Sequence, residues 1–194
     1  MASEVMPPSL QDLLDAHLPA DADEARSLAE MRRLLPRLDQ PFSRHQHEAH
    51  FTASALVVDV EAGKIALLHH AKLQRWLQPG GHAEPGDGGL MHLTALREAR
   101  EETGCEVRLY DPTPMLLDVD VHPIPARGDE PAHHHLDLRF LMVAEDPQRL
   151  SLNVDESSAV GWFGFDEAIA LVDDDALRRL IRKGLRATDC RPRS

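Results

Sequence analysis

The chain has 194 residues with 33 acidic against 21 basic side chains, a net charge of −12, and a length that suits one catalytic domain with an appendage. A surface this acidic repels nucleic-acid backbones and anionic lipid, so neither polynucleotide nor membrane is expected as a partner, and a phosphate ligand would need a bridging cation. Two cysteines, Cys105 and Cys190, are too few for a disulfide framework. With no apolar run near the roughly 18 residues of a membrane span and no basic-then-apolar leader, a cytoplasmic location is expected.

In chain order, Leu10, Leu13, Leu14 and Leu18, then Ala25, Leu28, Met31, Leu34 and Leu35, recur at helical spacing. They predict two amphipathic helices within residues 5–40, with Ser9 and either Asp21 or Asp23 as N-caps. From Phe51 the period becomes that of strands, and residues 51–60 and 64–70 read as a hairpin turning at Glu61-Ala62-Gly63. A Pro/Gly-rich stretch, 78–89, leads into a helix that runs to about Thr103 and stops at Gly104. Strands are expected at 106–109, 115–121, 136–143 and 159–163, and helices at 165–172 and 175–185. This order predicts an α/β fold layered around a mixed sheet.

The chemistry concentrates between Leu77 and Glu106. On a wheel of about 100° per residue, Glu98, Glu101 and Glu102 fall within an arc of roughly 100°. Leu93 and Leu96 lie opposite, with Ala99 at the edge, so this reading buries the leucines and presents the carboxylates. Like charges one turn apart, near a helix C-terminus, are destabilising unless something offsets them. A hard divalent cation would do so, since magnesium and manganese prefer oxygen ligands and bridge carboxylates to phosphates. Arg97 and Arg100 offer the alternative of plain salt bridging on a solvated face. Pro79-Gly80-Gly81 and Pro85-Gly86-Asp87-Gly88-Gly89 tip the balance, because glycines there permit close backbone approach to a ligand.

Together these residues resemble the Nudix box, G-x5-E-x7-R-E-U-x-E-E-x-G-U with U apolar. Arg97 to Cys105 matches the second half at every specified position, accepting Ala99 and Cys105 as U. In the first half Gly81 fits the leading glycine, and Asp87 stands where the family has Glu. Nine residues rather than seven separate Asp87 from Arg97, an insertion around Gly88-Gly89 that requires a bulged loop or a later helix start. The resemblance implies an α/β/α sandwich over residues 46–190, with residues 1–45 as an N-terminal helical extension. It implies a metal-dependent pyrophosphohydrolase, using Mg2+ or Mn2+, that cleaves a phosphate anhydride in a nucleoside diphosphate linked to another group. Glu98, Glu101 and Glu102, with the Gly80 carbonyl, would hold the metal, Arg97 would orient a glutamate, and Glu98 or Glu156 would accept the proton.

Outside the box, Lys72 and Arg75 are candidates to neutralise substrate phosphate. Twelve histidines is a high number. Of these, His70, His82, His122 and His135 are candidates to line the pocket and donate to phosphate. A dedicated zinc site lacks the cysteines or HxxxH pair that would specify it. Asp120 and Asp137 are weaker candidates for a base. Three other readings stay open: an isomerase of the same fold, whose cysteine and glutamate pair is not found here; a nucleotide-sensing module disabled by the insertion; and a histidine-based zinc protein. The N-terminal helices could cap the sheet or form a homodimer contact.

Overall fold

The computed structural model describes residues 6–128, 131–153 and 157–188. These contain a mixed sheet of β1 (Ala49–Asp59), β2 (Lys64–His70), β3 (Arg75–Leu77), β4 (Gly80–His82), β5 (Val107–Leu109), β6 (Leu116–Ile124), β7 (His133–Ala144) and β8 (Ser157–Gly164). The helices are α1 (Leu10–Ala16), α2 (Ala22–Leu34), α3 (Met91–Thr103), α4 (Phe165–Leu171) and α5 (Asp175–Thr188). Central β1 runs parallel to β7, and on its other side it pairs antiparallel with β4 near its start and β2 near its end. Strands β5 and β6 extend the sheet beyond β7, while β3 and β8 extend it beyond β2.

Alternation along the strands splits the core in two. Phe51, Ala53, Ala55 and Val57 of β1, with Leu136, Leu138 and Phe140 of β7, pack against Leu14, Leu28, Met31, Met91, Ala95 and Ala99 of α1, α2 and α3. On the other face Leu56, Val58, Leu141 and Val143 meet Ala168, Leu177, Leu180 and Ile181 of α4 and α5. Helices therefore cover both faces of the sheet in the expected α/β/α arrangement. Helix α5, with acidic Asp175 in its first turn and Arg186 in its last, is oriented favourably for its own dipole.

The N-terminal helices are capped by Ser9 and Asp21, whose side chains accept from the backbone N–H groups of Asp12 and Glu24. Far from being a loose appendage, they share the core of the sheet, with Leu14 and Met31 fully buried. Glu24 of α2 supplies the polar anchor. Its buried carboxylate accepts from Ala20 N–H (2.6 Å) and Val119 N–H (3.3 Å), pairs with His17, and is bonded by Lys183 of α5. Burial pushes this carboxyl up, yet the bonds from His17, Ala20 and Lys183 outweigh it and hold the group well below the ordinary 4.5. A carboxyl lowered in the folded state stabilises the fold fully above its unfolded pKa and ceases to do so as pH falls towards the folded one. Melting temperature is thus expected to fall as pH drops below about 4.5, with a shallower fall in Glu24→Gln, whose melting point at neutral pH already reflects a loss of about 3–5 kcal/mol. Calorimetric melting from neutral to acid pH checks both slopes.

Helix α3 differs from expectation in the face it buries. Leu93 is 38% exposed; Leu96 packs partly buried against the core as expected, but the fully packed side is Met91, Ala95, Ala99 and Glu102. Alanine adds little hydrophobic weight on a wheel, but its small side chain lets the helix backbone approach β1 closely, so it governs the contact. Gly104 ends the helix in the left-handed conformation (φ 69°), as the sequence predicts, with its N–H bonded to Arg100 O.

Candidate active site

The two residues inserted before α3 are absorbed by a tight helical turn at Pro85–Asp87 and by Gly88 and Gly89, both at positive φ (59° and 75°). The loop bulges and the helix starts late, at Met91, so Arg97 to Gly104 keep their helical phase. Asp87 closes the turn by accepting from Glu84 N–H (2.8 Å) and Thr94 Oγ1 (2.9 Å). Its two oxygens also grip Arg97, accepting from Nε (3.2 Å) and Nη2 (3.1 Å). Burial raises the Asp87 carboxyl, but these bonds win and lower it overall, so it stays ionised.

Clamped this way, Arg97 becomes the organising centre. Its Nη2 also donates to the His82 carbonyl (2.8 Å), and its Nη1 donates to both Glu98 Oε1 (3.0 Å) and Glu101 Oε2 (3.2 Å). Two carboxylates therefore converge on one nitrogen atom. Burial disfavours the guanidinium charge, but Asp87 and Glu98 more than restore it, and its pKa rises. Glu98 lies against Gly81 so closely that a Cβ there would overlap its carboxylate. Glu102, 9% exposed, accepts from Gly80 N–H (2.8 Å), while Glu101 is half exposed on the rim. Three hard oxygen donors and the backbone of Gly80 and Gly81 thus share one side of β4, and their chemistry fits a divalent cation such as Mg2+ or Mn2+.

Behind this cluster, on β6 and β7, lies a buried charge network. Arg139 donates to Asp137 (2.9 Å), Asp118 (3.3 Å) and Asp120 (3.2 Å), and Arg179 of α5 forks onto Asp118 at 2.7 and 2.9 Å. Asp137 also accepts from Thr52 and Ser54 hydroxyls, tying the network to β1 beneath Gly80. Asp120 and Asp137, weaker candidates for a base, are both held by Arg139.

The sheet register assembles histidines from four strands. His50 of β1 is the partner of His135 on β7, which is also the partner of His122 on β6, while His133 lies two residues back on the same face. His82 of β4 sits across from Thr52, completing the group. Ring centroids lie 4.8–5.5 Å apart among His50, His82, His122, His133 and His135. Burial, then the neighbouring rings of His82, His122, His50 and His133, push His135 down to about 2.

Among the residues singled out by sequence, Arg97, Glu98, Glu101, Glu102 and Gly80 come together, and His82, His122 and His135 meet on the other side of β4. Lys72 and Arg75 sit exposed on the β2–β3 hairpin and form no ion pair among the described residues. The cleft that Arg75 lines with Trp76, Leu171 and Asp173 measures about 60 Å³, far below the several hundred that a nucleotide-sized ligand occupies. His70 accepts from the turn N–H groups of Lys72 and Leu73. Glu156 lies outside the described residues. Sequence reasoning passed over His50 and Arg139, whose importance depends on pairing between β1, β6 and β7; the alternation of His133 and His135 was the one local signal.

Comparison with known proteins identifies the family and the fold. Residues 49–183 match the family model described as the NUDIX domain. A stretch of 107 residues, half of this chain, is 33% identical to the Bos taurus protein named m7GpppN-mRNA hydrolase NUDT17, covering 33% of that protein. Another of 99 residues, again half of this chain, is 33% identical to a probable DHNTP pyrophosphohydrolase of Lactococcus lactis subsp. cremoris (strain MG1363), covering 55% of it. The chain therefore spans between a third and about half the length of these curated relatives. Among solved structures, a NUDIX-family hydrolase from Clostridium perfringens is similar at 25% identity and a TM-score of 0.51, over 72% of this chain and 96% of that one. With its α/β/α layers, its box from Gly81 to Cys105 and a family match across most of its length, the chain belongs to the Nudix hydrolase family.

Proposed function

We propose that this chain is a metal-dependent pyrophosphohydrolase that cleaves the phosphate anhydride of a nucleoside diphosphate linked to another group. The observation that carries this reading is the seating of the box carboxylates on the glycine backbone of β4, with Glu102 accepting from Gly80 N–H, Glu98 lying against Gly81, and Glu101 joined to Glu98 through Arg97. Glu98, Glu101, Glu102 and the Gly80 carbonyl would hold Mg2+ or Mn2+. When bound, the ion supplies charge neutralisation of the phosphates and acidifies the attacking water.

The protein's share of the work is positioning. Asp87 fixes Arg97, Arg97 fixes the direction of Glu98 and Glu101, and Gly81 leaves room for the Glu98 carboxylate. Glu98 is assigned as the proton acceptor: water attacks one phosphorus, its proton passes to Glu98, and the P–O bond to the other phosphate breaks, releasing that phosphate as the leaving group. Glu156 is the second candidate for this role. Lys72 and Arg75, exposed on the β2–β3 hairpin, are assigned to substrate phosphate and its attached group, whereas His82, His122 and His135, which meet on the other side of β4 from the carboxylates, suit a different task. Among the described residues no helix is long and apolar enough to cross a membrane. The acidic surface and this site chemistry support a small nucleotide partner, and a homodimer through the N-terminal helices remains part of the proposal.

The test is a panel of nucleoside diphosphate derivatives incubated with and without Mg2+ or Mn2+, with products identified by mass spectrometry. Two phosphate-bearing fragments are expected, only with metal present. Tight nucleotide binding without turnover on any compound would favour the sensing module instead.

A further inference from the structure

The histidine cluster is built from different donors than the carboxylate site and lies on the other side of β4, where alternation turns Gly81 towards Glu98 and His82 away from it. The ligand-capable nitrogens of His50, His133 and His135 all lie within 4.8 Å of one another. Their Nε2 atoms are buried, and that of His135 has no hydrogen-bond partner among the described residues. The outer nitrogens are anchored: His133 Nδ1 lies 2.9 Å from Pro131 O, and His50 Nδ1 lies 3.4 Å from Gln46 O. A carbonyl oxygen only accepts, so each Nδ1 carries the proton and each Nε2 presents its lone pair to the interior. This is the arrangement by which metal-binding histidines are fixed in tautomer and orientation by a backbone carbonyl.

We propose that His50, His133 and His135 form a second metal site, selective for a transition-metal dication of the zinc class, with the fourth position facing His82. Imidazole ligands favour such ions over magnesium, and the carboxylate cluster has the opposite preference, so the two sites divide by ligand chemistry. Zinc–imidazole distances of about 2.0–2.1 Å place tetrahedral nitrogens about 3.3 Å apart. The present spacing of up to 4.8 Å is wider than this, so metal binding would draw the three rings together. The site would pin β1 to β7 at the end of the sheet. Because Arg97 Nη2 grips the His82 carbonyl, it would also brace the strand against which Glu98 rests.

The test uses the full-length protein, loaded with zinc, dialysed against millimolar Mg2+ and assayed for metal content, alongside the visible spectrum of a cobalt-loaded sample. One equivalent of retained zinc and an intense tetrahedral cobalt spectrum are expected. His135→Asn and, separately, His133→Gln should weaken zinc binding about 100-fold or more, while the Glu98→Gln/Glu101→Gln/Glu102→Gln variant retains it. Circular dichroism of each histidine variant establishes that the fold persists, and the cobalt spectrum of the unaltered protein decides the question if a variant fails to fold. Zinc that dialyses away, an octahedral cobalt spectrum, or zinc lost with the glutamates but not the histidines would overturn the proposal. None of these outcomes bears on the hydrolase reading, which is scored on turnover with magnesium.

Discussion

Glu102→Gln is expected to lower kcat/KM for anhydride cleavage by about 10³-fold while leaving the melting temperature nearly unchanged. The glutamine keeps an oxygen that can accept the Gly80 N–H now bonded to Glu102 Oε2 at 2.8 Å, so the β4–α3 contact survives. What disappears is one negative charge among the three that would hold the cation. A metal site supplying several kcal/mol of charge stabilisation loses its grip when one anchoring carboxylate becomes neutral. Steady-state kinetics at saturating Mg2+, paired with calorimetric melting, checks both halves. Unchanged kcat/KM would remove Glu102 from the site, and a collapse of melting temperature would reduce its role to packing.

A large stability effect is expected at Arg139, only 4% exposed at its side chain and bonded to three aspartates. Burial works against its charge, but Asp137, Asp120 and Asp118 raise its pKa, so it remains a cation in the interior. Asp118 is raised by burial even beside Arg179 and Arg139, which shows how much the enclosure costs a lone carboxylate. Arg139→Met fills the volume but leaves Asp137 and Asp120 without their guanidinium. Breaking a buried pair from one side costs about 3–5 kcal/mol, a large part of the roughly 5–15 kcal/mol that holds a domain together. A fall of about 10 °C or more in melting temperature should follow. Adding Asp137→Asn to Arg139→Met should recover part of it, because it removes one of the stranded charges. A change within about 2 °C would mean the network is solvated in practice.

Most of the fold was legible because long strands and capped helices carry local signals. Ser9, Asp21 and Gly104 stop or start helices where their side chains or backbone freedom dictate, and the apolar runs of β1 and β7 are unmistakable. The Arg97–Cys105 half of the box survived the insertion because Gly88 and Gly89 absorb it in the loop. Less legible was the face of α3, since a wheel weighted by hydrophobicity favours Leu93, which is exposed, over the small Ala95 and Ala99 that decide close packing. Strand β4, Gly80–His82, has no strand-like residue and exists only because β1 offers it a partner. The histidine cluster and the Arg139 network were hidden for the same reason: His50 and His135, or Asp118 and Arg139, meet through register between distant strands. Pairing of this kind is a long-range property, and periodicity within one segment does not encode it.

The central claim is that water attacks a phosphate anhydride at the Glu98–Glu101–Glu102 cluster. Hydrolysis of an accepted nucleoside diphosphate derivative in ¹⁸O-labelled water with Mg2+ tests it most directly. The account predicts a single ¹⁸O in one of the two phosphate-bearing products, and loss of that product when Mg2+ is chelated or Glu98→Gln is introduced. Label in a non-phosphate fragment, or labelled product formed equally without metal and in Glu98→Gln, would contradict it.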